Sequence, residues 1–379
     1  MSDDSLRGLR SGLVVVGVAL IATCYGFARF AYGLFAPQLT QHFFLSRGLS
    51  GLVGAGSYVG YCVAIGGSTL LTGRWGPRWV AVLAGAVAAV GTGTVAAAPN
   101  AVVLAAGVLV GGLSTGIASP PLAATVAVWV REGVQDTAQT LVNAGTGIGV
   151  LVSGPVALIL LDRWRLAWAF FAVTAAVVTV CAARAIPRGG ATPPSDDGQP
   201  ARLRPPGATV LLLAASLMGL SSTAVWTLGR GLIETARGSD SVGPVVWTVM
   251  GAAGILGAFA GPAVDRLGLR TSWTVLMLLL AIGTAGLAAG ARYPVLAVAA
   301  GAVFGAAYIA LTGVLLVWAT RTYPRPSLGV GLVFLMIAAG QAVGAPIAGG
   351  AADATSLPLV FYACAIVAAT GSTLRSGRD

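Results

Sequence analysis

Long apolar runs, cut at short intervals by arginine, proline and small polar clusters, fill the chain almost from end to end. A helix that crosses a bilayer needs about 20 mainly apolar residues. Dividing the chain at its charged and proline- or glycine-rich breaks predicts twelve such helices. They cover 12–36, 50–72, 79–98, 101–129, 138–161, 165–186, 207–229, 243–264, 271–290, 294–320, 328–351 and 357–374. Between the sixth and seventh lies PRGGATPPSDDGQPARLRPP at 187–206, too polar and proline-rich to form a core. It reads as a flexible linker between an N-terminal six-helix bundle, 1–186, and a C-terminal one, 207–379. The expected fold class is an all-α membrane protein of twelve transmembrane helices in two pseudo-symmetric six-helix bundles.

The two halves share landmarks at a nearly constant offset, the mark of an internal repeat. TLLTGRWGPR at 69–78 aligns with GPAVDRLGLR at 261–270, an offset of 192 (261 − 69). Gly154-Pro155 aligns with Ala345-Pro346 and Ala169-Phe170 with Val360-Phe361, both at 191 (345 − 154; 360 − 169).

Composition agrees with the hydropathy pattern. Hydrophobic residues make up 56% of the chain, charged residues 9%, and the mean hydropathy is +0.87. Soluble domains carry about 25% charged residues, so the solvent of most of this chain is lipid. A net charge of +10 would ordinarily raise nucleic acid as a partner. Here the positive residues are scattered through short loops, and no nucleic-acid partner is expected. All 22 basic residues are arginine, which excludes a phosphate-binding loop of the type that needs lysine. Fifteen arginines fall in loops on the same side as the termini and six on the opposite side. That bias places both termini in the cytoplasm of a plasma membrane, with a bacterial source expected. Without a secretory cleavage site, the first apolar run is expected to stay as an anchor.

Catalytic chemistry has little to work with. The single histidine, His42, falls in a loop, and no Ser/His/Asp or metal-ligand cluster lies within the spans. Cys24, Cys62, Cys181 and Cys364 are far apart in apolar runs. Neither enzyme activity nor a cofactor is expected.

Gly261-Pro-Ala-Val-Asp265-Arg266-Leu-Gly268-Leu-Arg270 resembles the G-x-x-x-D-[RK]-x-G-x-[RK] signature of the major facilitator superfamily of transporters. Asp162-Arg163-Trp164-Arg165 before Trp168 and Phe170 is similar to that family's entrance to the sixth helix. Gly26-Phe27-Ala28-Arg29-Phe30-Ala31-Tyr32 further resembles the YbfB/YjiJ-type bacterial subgroup. The resemblance implies alternating access, with helices 3, 6, 9 and 12 peripheral and the rest around a central cavity. It also implies a gate at the cytoplasmic mouth: Asp265, with Arg266 and Arg270, would meet the start of the fifth helix near Asp136-Thr137. The N-half copy keeps Arg74, Gly76 and Arg78 but has Gly73 where its aspartate belongs, so closure is expected to lean on Asp265. Gly154-Pro155 and the Gly344/Pro346 stretch resemble the kinked, glycine-rich helices of the family's antiporters, though close packing and kinking account for them.

Arg29 stands apart. It sits about 17 residues, roughly 25 Å, into the first predicted helix, where a charge costs at least a few kcal/mol. Tyr25, Arg29 and Tyr32 share a face at α-helical spacing. Asn143, Thr146 and Ser153 form a polar stripe on the fifth helix, and Ser57 and Tyr61 lie on the second. Ser222 and Trp226 on the seventh, Tyr308 and Thr312 on the tenth and Gln341 on the eleventh complete a candidate lining. All twelve acidic residues fall in loops, termini or helix ends, leaving Arg29 as the sole deep charge, without a counter-ion.

Two readings of Arg29 stay open: it engages an anionic or hydrogen-bond-accepting solute, or it snorkels to the interface in a structural role. The expected function is secondary active or facilitative transport of a small organic solute, an anionic one if Arg29 engages it, by alternating access. The alternative is a proton-coupled efflux pump for drugs or other lipophilic compounds. A small-molecule solute and the lipid bilayer are the expected partners, proton coupling is open, and a monomer is expected.

Overall fold

In the computed structural model, residues 11–131, 133–160, 162–188, 204–238, 241–324 and 326–374 are described. They form twelve helical elements in two groups of six. Helix α1 runs through three consecutive segments, Ser11–Ile21, the π-helical Ala22–Phe30, and Ala31–His42. It is followed by α2 (Arg47–Trp75), α3 (Pro77–Ala97), α4 (Ala101–Trp129), α5 (Gln135–Ile159) and α6 (Trp164–Ala185). The second group is α7 (Ala208–Arg237), α8, α9 (Leu269–Gly290), α10 (Pro294–Thr322), α11 (Pro326–Ala354) and α12 (Leu357–Gly371). Helix α8 begins as Val242–Gly254, tightens to a 3₁₀ turn at Ile255–Phe259 and resumes over Ala260–Leu267. Ten of these elements are long and apolar enough to cross a membrane; the other two, at 242–257 and 357–371, are shorter apolar helices. Most of the linker expected at 187–206 lies outside the described residues.

Several helices run longer than hydropathy predicts, and polar residues cap the starts of two helices. Ser46 caps α2 by accepting the N–H of Leu49, and Asn100 caps α4 by accepting that of Val103. Helix α7 continues beyond its predicted end at 229 to Arg237, with Gly238 in the left-handed conformation at its C-terminus.

The repeat seen in the sequence recurs in the backbone. Gly76 and Gly268, the N-caps of α3 and α9, adopt φ 80°, ψ 158° and φ 80°, ψ 157°. That region of conformational space is open essentially to glycine alone, which explains why the signature keeps glycine at this place. Helix packing repeats as well. A Cβ on Gly112 would lie 2.1 Å from the carbonyl oxygen of Ser57 (α4 on α2), and one on Gly305 the same 2.1 Å from that of Met250 (α10 on α8). The two contacts are separated by 193 positions (305 − 112; 250 − 57). Such close approach, driven by packing rather than hydrophobicity, is how helices associate in lipid.

Within the N-terminal group, α4 packs on α2 and α3, and α5 packs on α1; within the C-terminal group, α10 packs on α8 and α9, and α11 on α7. The groups meet along α2–α11, α5–α8 and α1–α7. Helices α3, α6, α9 and α12 turn Val90, Val173, Ile282 and Ile366 outward, as peripheral helices facing lipid must. With six helices in each group, the starts of α1 and α7 and the ends of α6 and α12 lie on one face, called here the terminal face; the opposite one is the loop face.

Candidate functional site

Arg29 lies near the middle of the Gly12–His42 span, in its π-helical segment. Every residue from Ala22 to Phe30 is buried, and the N–H of Ala31 bonds to the carbonyl of Gly26. The wide turns advance less per residue than the about 100° of an α-helix. Tyr25 and Arg29, roughly one such turn apart, stay together. Tyr32 also turns toward α2, nearer its start: its hydroxyl donates to the Ser50 carbonyl at 2.8 Å and shares a hydrogen bond with Ser50 Oγ at 3.0 Å. π-Helical segments are rare and frequent at functional sites.

The guanidinium is 5% exposed and caged by aromatic rings. Its central carbon lies 4.9 Å from the ring centroids of both Tyr58 and Tyr61, 5.1 Å from that of Phe30 and 5.7 Å from that of Tyr25. A desolvated cation–π contact contributes about 2 kcal/mol, so the cage offsets part of the cost of burying the charge. One terminal nitrogen, Nη2, donates to Gln341 Oε1 of α11, while Nε is buried without a partner. The side chain therefore does not snorkel to an interface; it reaches across to the other half.

Gln341 continues the network. Its Nε2 donates to the Tyr308 hydroxyl at 3.1 Å and approaches Ser222 Oγ at 3.5 Å. Trp226 stacks on Phe30 at 4.1 Å and stands edge-on to Tyr308 at 5.1 Å. Tyr25 shares a hydrogen bond with Ser119 of α4 at 2.9 Å. Seven residues expected to line the site, Tyr25, Arg29, Tyr61, Ser222, Trp226, Tyr308 and Gln341, thus form one connected cluster built from both halves. Asn143 is half-buried and accepts from Gln139 at 3.4 Å, with no described bond to this cluster. Ser153 instead accepts from Trp247 Nε1 at 3.1 Å across the halves.

Tyr58 and Phe30 are cage members that the sequence reading missed. Tyr58 had a signal, since it stands three residues before Tyr61 on the same helix face. Arg230 is a second correction. Assigned to a loop from hydropathy, it lies on α7, 2% exposed, where it pairs with Glu234 and donates to the carbonyl of Leu34. The carboxylate one helical turn away let α7 carry a charge past its apolar limit, so Arg29 is not the only buried arginine.

The halves are joined at the loop face. Asp353 of α11 accepts the N–H groups of Arg47 and Gly48 at the start of α2, and Arg47 Nη1 donates to the Ala352 carbonyl at 3.1 Å. A Cβ on Gly33 would lie 1.7 Å from the Trp226 carbonyl oxygen, and one on Gly154 would lie 2.0 Å from Thr248 Oγ1. A cavity of about 420 Å³ opens at this face beside Thr40, Arg47 and Glu234. Gly344 instead packs within the C-terminal half against Thr223, with Pro346 two residues on and half-buried; Pro155 is exposed.

Toward the terminal face the contacts thin out. Among the described residues, cross-half hydrogen bonds stop near the weak Cys62 Sγ to Leu335 carbonyl contact at 3.8 Å. Beyond it, Gly66, Gly67 and Gly73 of α2 face open space. Arg74, Asp265, Arg266 and Arg270 are exposed and Arg78 sits beside the Trp79 ring. No hydrogen bond joins Asp265 to α5 among the described residues, and the side chain of Asp136 is outside them. His42 is exposed, edge-on to Trp164 and 3.2 Å from Arg165 Nη2.

A profile of the Major Facilitator Superfamily matches residues 18–258, well over half of the chain. The chain belongs to the Major Facilitator Superfamily. It is a multi-pass membrane transporter and not an enzyme. The nucleoside transporter NupG superposes with a TM-score of 0.77 at 11% identity, covering 96% of this chain and 98% of its own. The Escherichia coli xylose transporter XylE, in a partially occluded inward-open conformation, superposes with a TM-score of 0.76 at 13% identity over 96% of each chain. Identities this low establish the superfamily fold and not the solute. No curated protein matches the sequence.

Proposed function

We propose that this transporter moves a small organic solute by alternating access of its two halves, and that the solute presents an anionic or strongly hydrogen-bond-accepting group to Arg29. One observation carries this reading. A buried guanidinium stands where both halves meet, no described carboxylate reaches it, and its polar neighbours are neutral. An uncompensated charge in this setting is costly, and an incoming anion lowers that cost. Guanidinium suits carboxylates and phosphates because its donors form a planar fork. The same positive charge works against the efflux alternative, since it repels a lipophilic cation from the ring cluster that would otherwise suit one.

In this reading the terminal face is cytoplasmic, as the arginine bias predicts, and the protein lies in the plasma membrane. Cross-half hydrogen bonds at the loop face, and none described beyond Cys62 toward the terminal face, favour an inward-facing state, with the loop-face cavity a recess outside the joined helices. The reverse state closes the terminal face through Asp265 and the start of α5. Within the superfamily, the first-helix stretch around Arg29 fits the YbfB/YjiJ-type subgroup.

A thermal-shift screen of solutes on the purified protein, repeated on Arg29→Gln, tests the reading. Stabilising solutes dominated by anions, and lost in the variant, support it. Lipophilic cations that stabilise both proteins equally overturn it in favour of efflux.

A further inference from the structure

Resting on that reading, we infer that the solute is a monocarboxylate with an apolar or aromatic body, and that its carboxylate takes the place of Gln341 on the side-on fork of Arg29. The fork is the Nε–Nη2 edge, where two parallel N–H groups can hold two oxygens of one planar anion. In the structure this edge is half used. Gln341 offers a single oxygen, which Nη2 takes, while Nε is buried with nothing to accept from it. The faces of the guanidinium are covered by Tyr25, Phe30, Tyr58 and Tyr61, so a ligand reaches it by the edge.

A carboxylate satisfies both arms at once. When it displaces the Gln341 oxygen, the amide nitrogen of Gln341 stays tethered near the Tyr308 hydroxyl and Ser222 Oγ and can donate to the same carboxylate. The solute thereby links α1 of one half to α11 of the other. Charge sets the count of anionic groups. One arginine without a described counter-ion balances one negative charge, and the second buried arginine, Arg230, already pairs with Glu234. A dianionic phosphate or a dicarboxylate would bury a charge with no partner. The body follows from the neighbours of Gln341: Tyr308, Trp226, Phe304 and Phe30 form a continuous set of ring contacts beside it. These faces favour an apolar or planar group.

Benzoate, benzamide and phenyl phosphate serve as probes, read by thermal shift and by titration calorimetry on the purified full chain. Benzoate is expected to bind the wild type, with benzamide and phenyl phosphate weaker. Arg29→Lys keeps the charge but removes the fork, and is expected to weaken benzoate by about ten- to a hundredfold. Gln341→Glu supplies a tethered carboxylate to both arms. It is expected to raise the melting temperature without ligand and to abolish benzoate binding. Equal benzoate affinity in wild type and Arg29→Lys, or undiminished binding in Gln341→Glu, overturns the inference. So does a screen whose Arg29-dependent solutes are all phosphates or neutral, an outcome that leaves Arg29 as the solute contact. Solutes that bind independently of Arg29 sink both.

Discussion

The carboxylate of Asp353, at the end of α11, accepts the backbone N–H of Gly48 at 2.7 Å and that of Arg47 at 3.0 Å. These are the first N–H groups of α2, which lack partners in their own helix, and they carry the positive end of its dipole. With Ser46 taking the N–H of Leu49, the cap of α2 is shared between the two halves.

Losing a cap of this kind costs about 1 kcal/mol, roughly a fivefold shift in population. Asp353→Ala is therefore expected to open the loop face, with little effect on the folding of either half. A single reporter cysteine at Thr227, which lines the loop-face cavity, should react several-fold faster with a maleimide in the variant. An unchanged rate means that the cap does not hold this face closed.

Two glycines separate folding from gating. Gly112 meets the Ser57 carbonyl inside the N-terminal half, whereas Gly33 meets the Trp226 carbonyl across the halves. Overpacking costs about 1–3 kcal/mol, and in both cases the obstructing atom is backbone. Gly112→Ala should lower the yield of folded protein. Gly33→Ala should fold normally but lose transport, because the loop face no longer closes fully. Size-exclusion profiles and transport in proteoliposomes distinguish the two, and matching defects would contradict the assignment.

Arg29→Gln should leave the melting temperature of the solute-free protein unchanged or higher. It removes a buried charge whose described contacts are ring faces and a single amide oxygen, and replacing such a charge with a neutral group of similar reach is often neutral or stabilising. A large fall in melting temperature would instead show that the aromatic cage depends on the guanidinium for its structure.

At the terminal face, Asp265→Asn should slow transport far more than Gly73→Ala. Asp265 is exposed in this state and free to meet α5 when that face closes, whereas Gly73 has open space around it and no side chain to contribute. Uptake rates in proteoliposomes decide this; equal, small effects would remove Asp265 from the gate.

Much of this protein was legible in the chain itself. Bilayer thickness imposes a length on every apolar run, so the twelve helices could be counted by hydropathy alone. The repeat was legible because the same turn demands the same residue, as Gly76 and Gly268 show. Arg29 was visible because a charge in an apolar run conflicts with its solvent. Interior contacts follow different rules. The bond from Arg29 to Gln341 spans 312 positions, and no local period announces it. Tyr32 meets α2 at Ser50, short of the rings around Arg29, a partner set by how the two helices pack. Arg230 was misplaced because the pairing that lets a helix carry a charge inward is a property of neighbours, not of hydropathy. Lipid, acting on each segment separately, decided which helices form. Only packing between them, where every buried polar group must find a partner or be left without one, decided which side chains meet at the site.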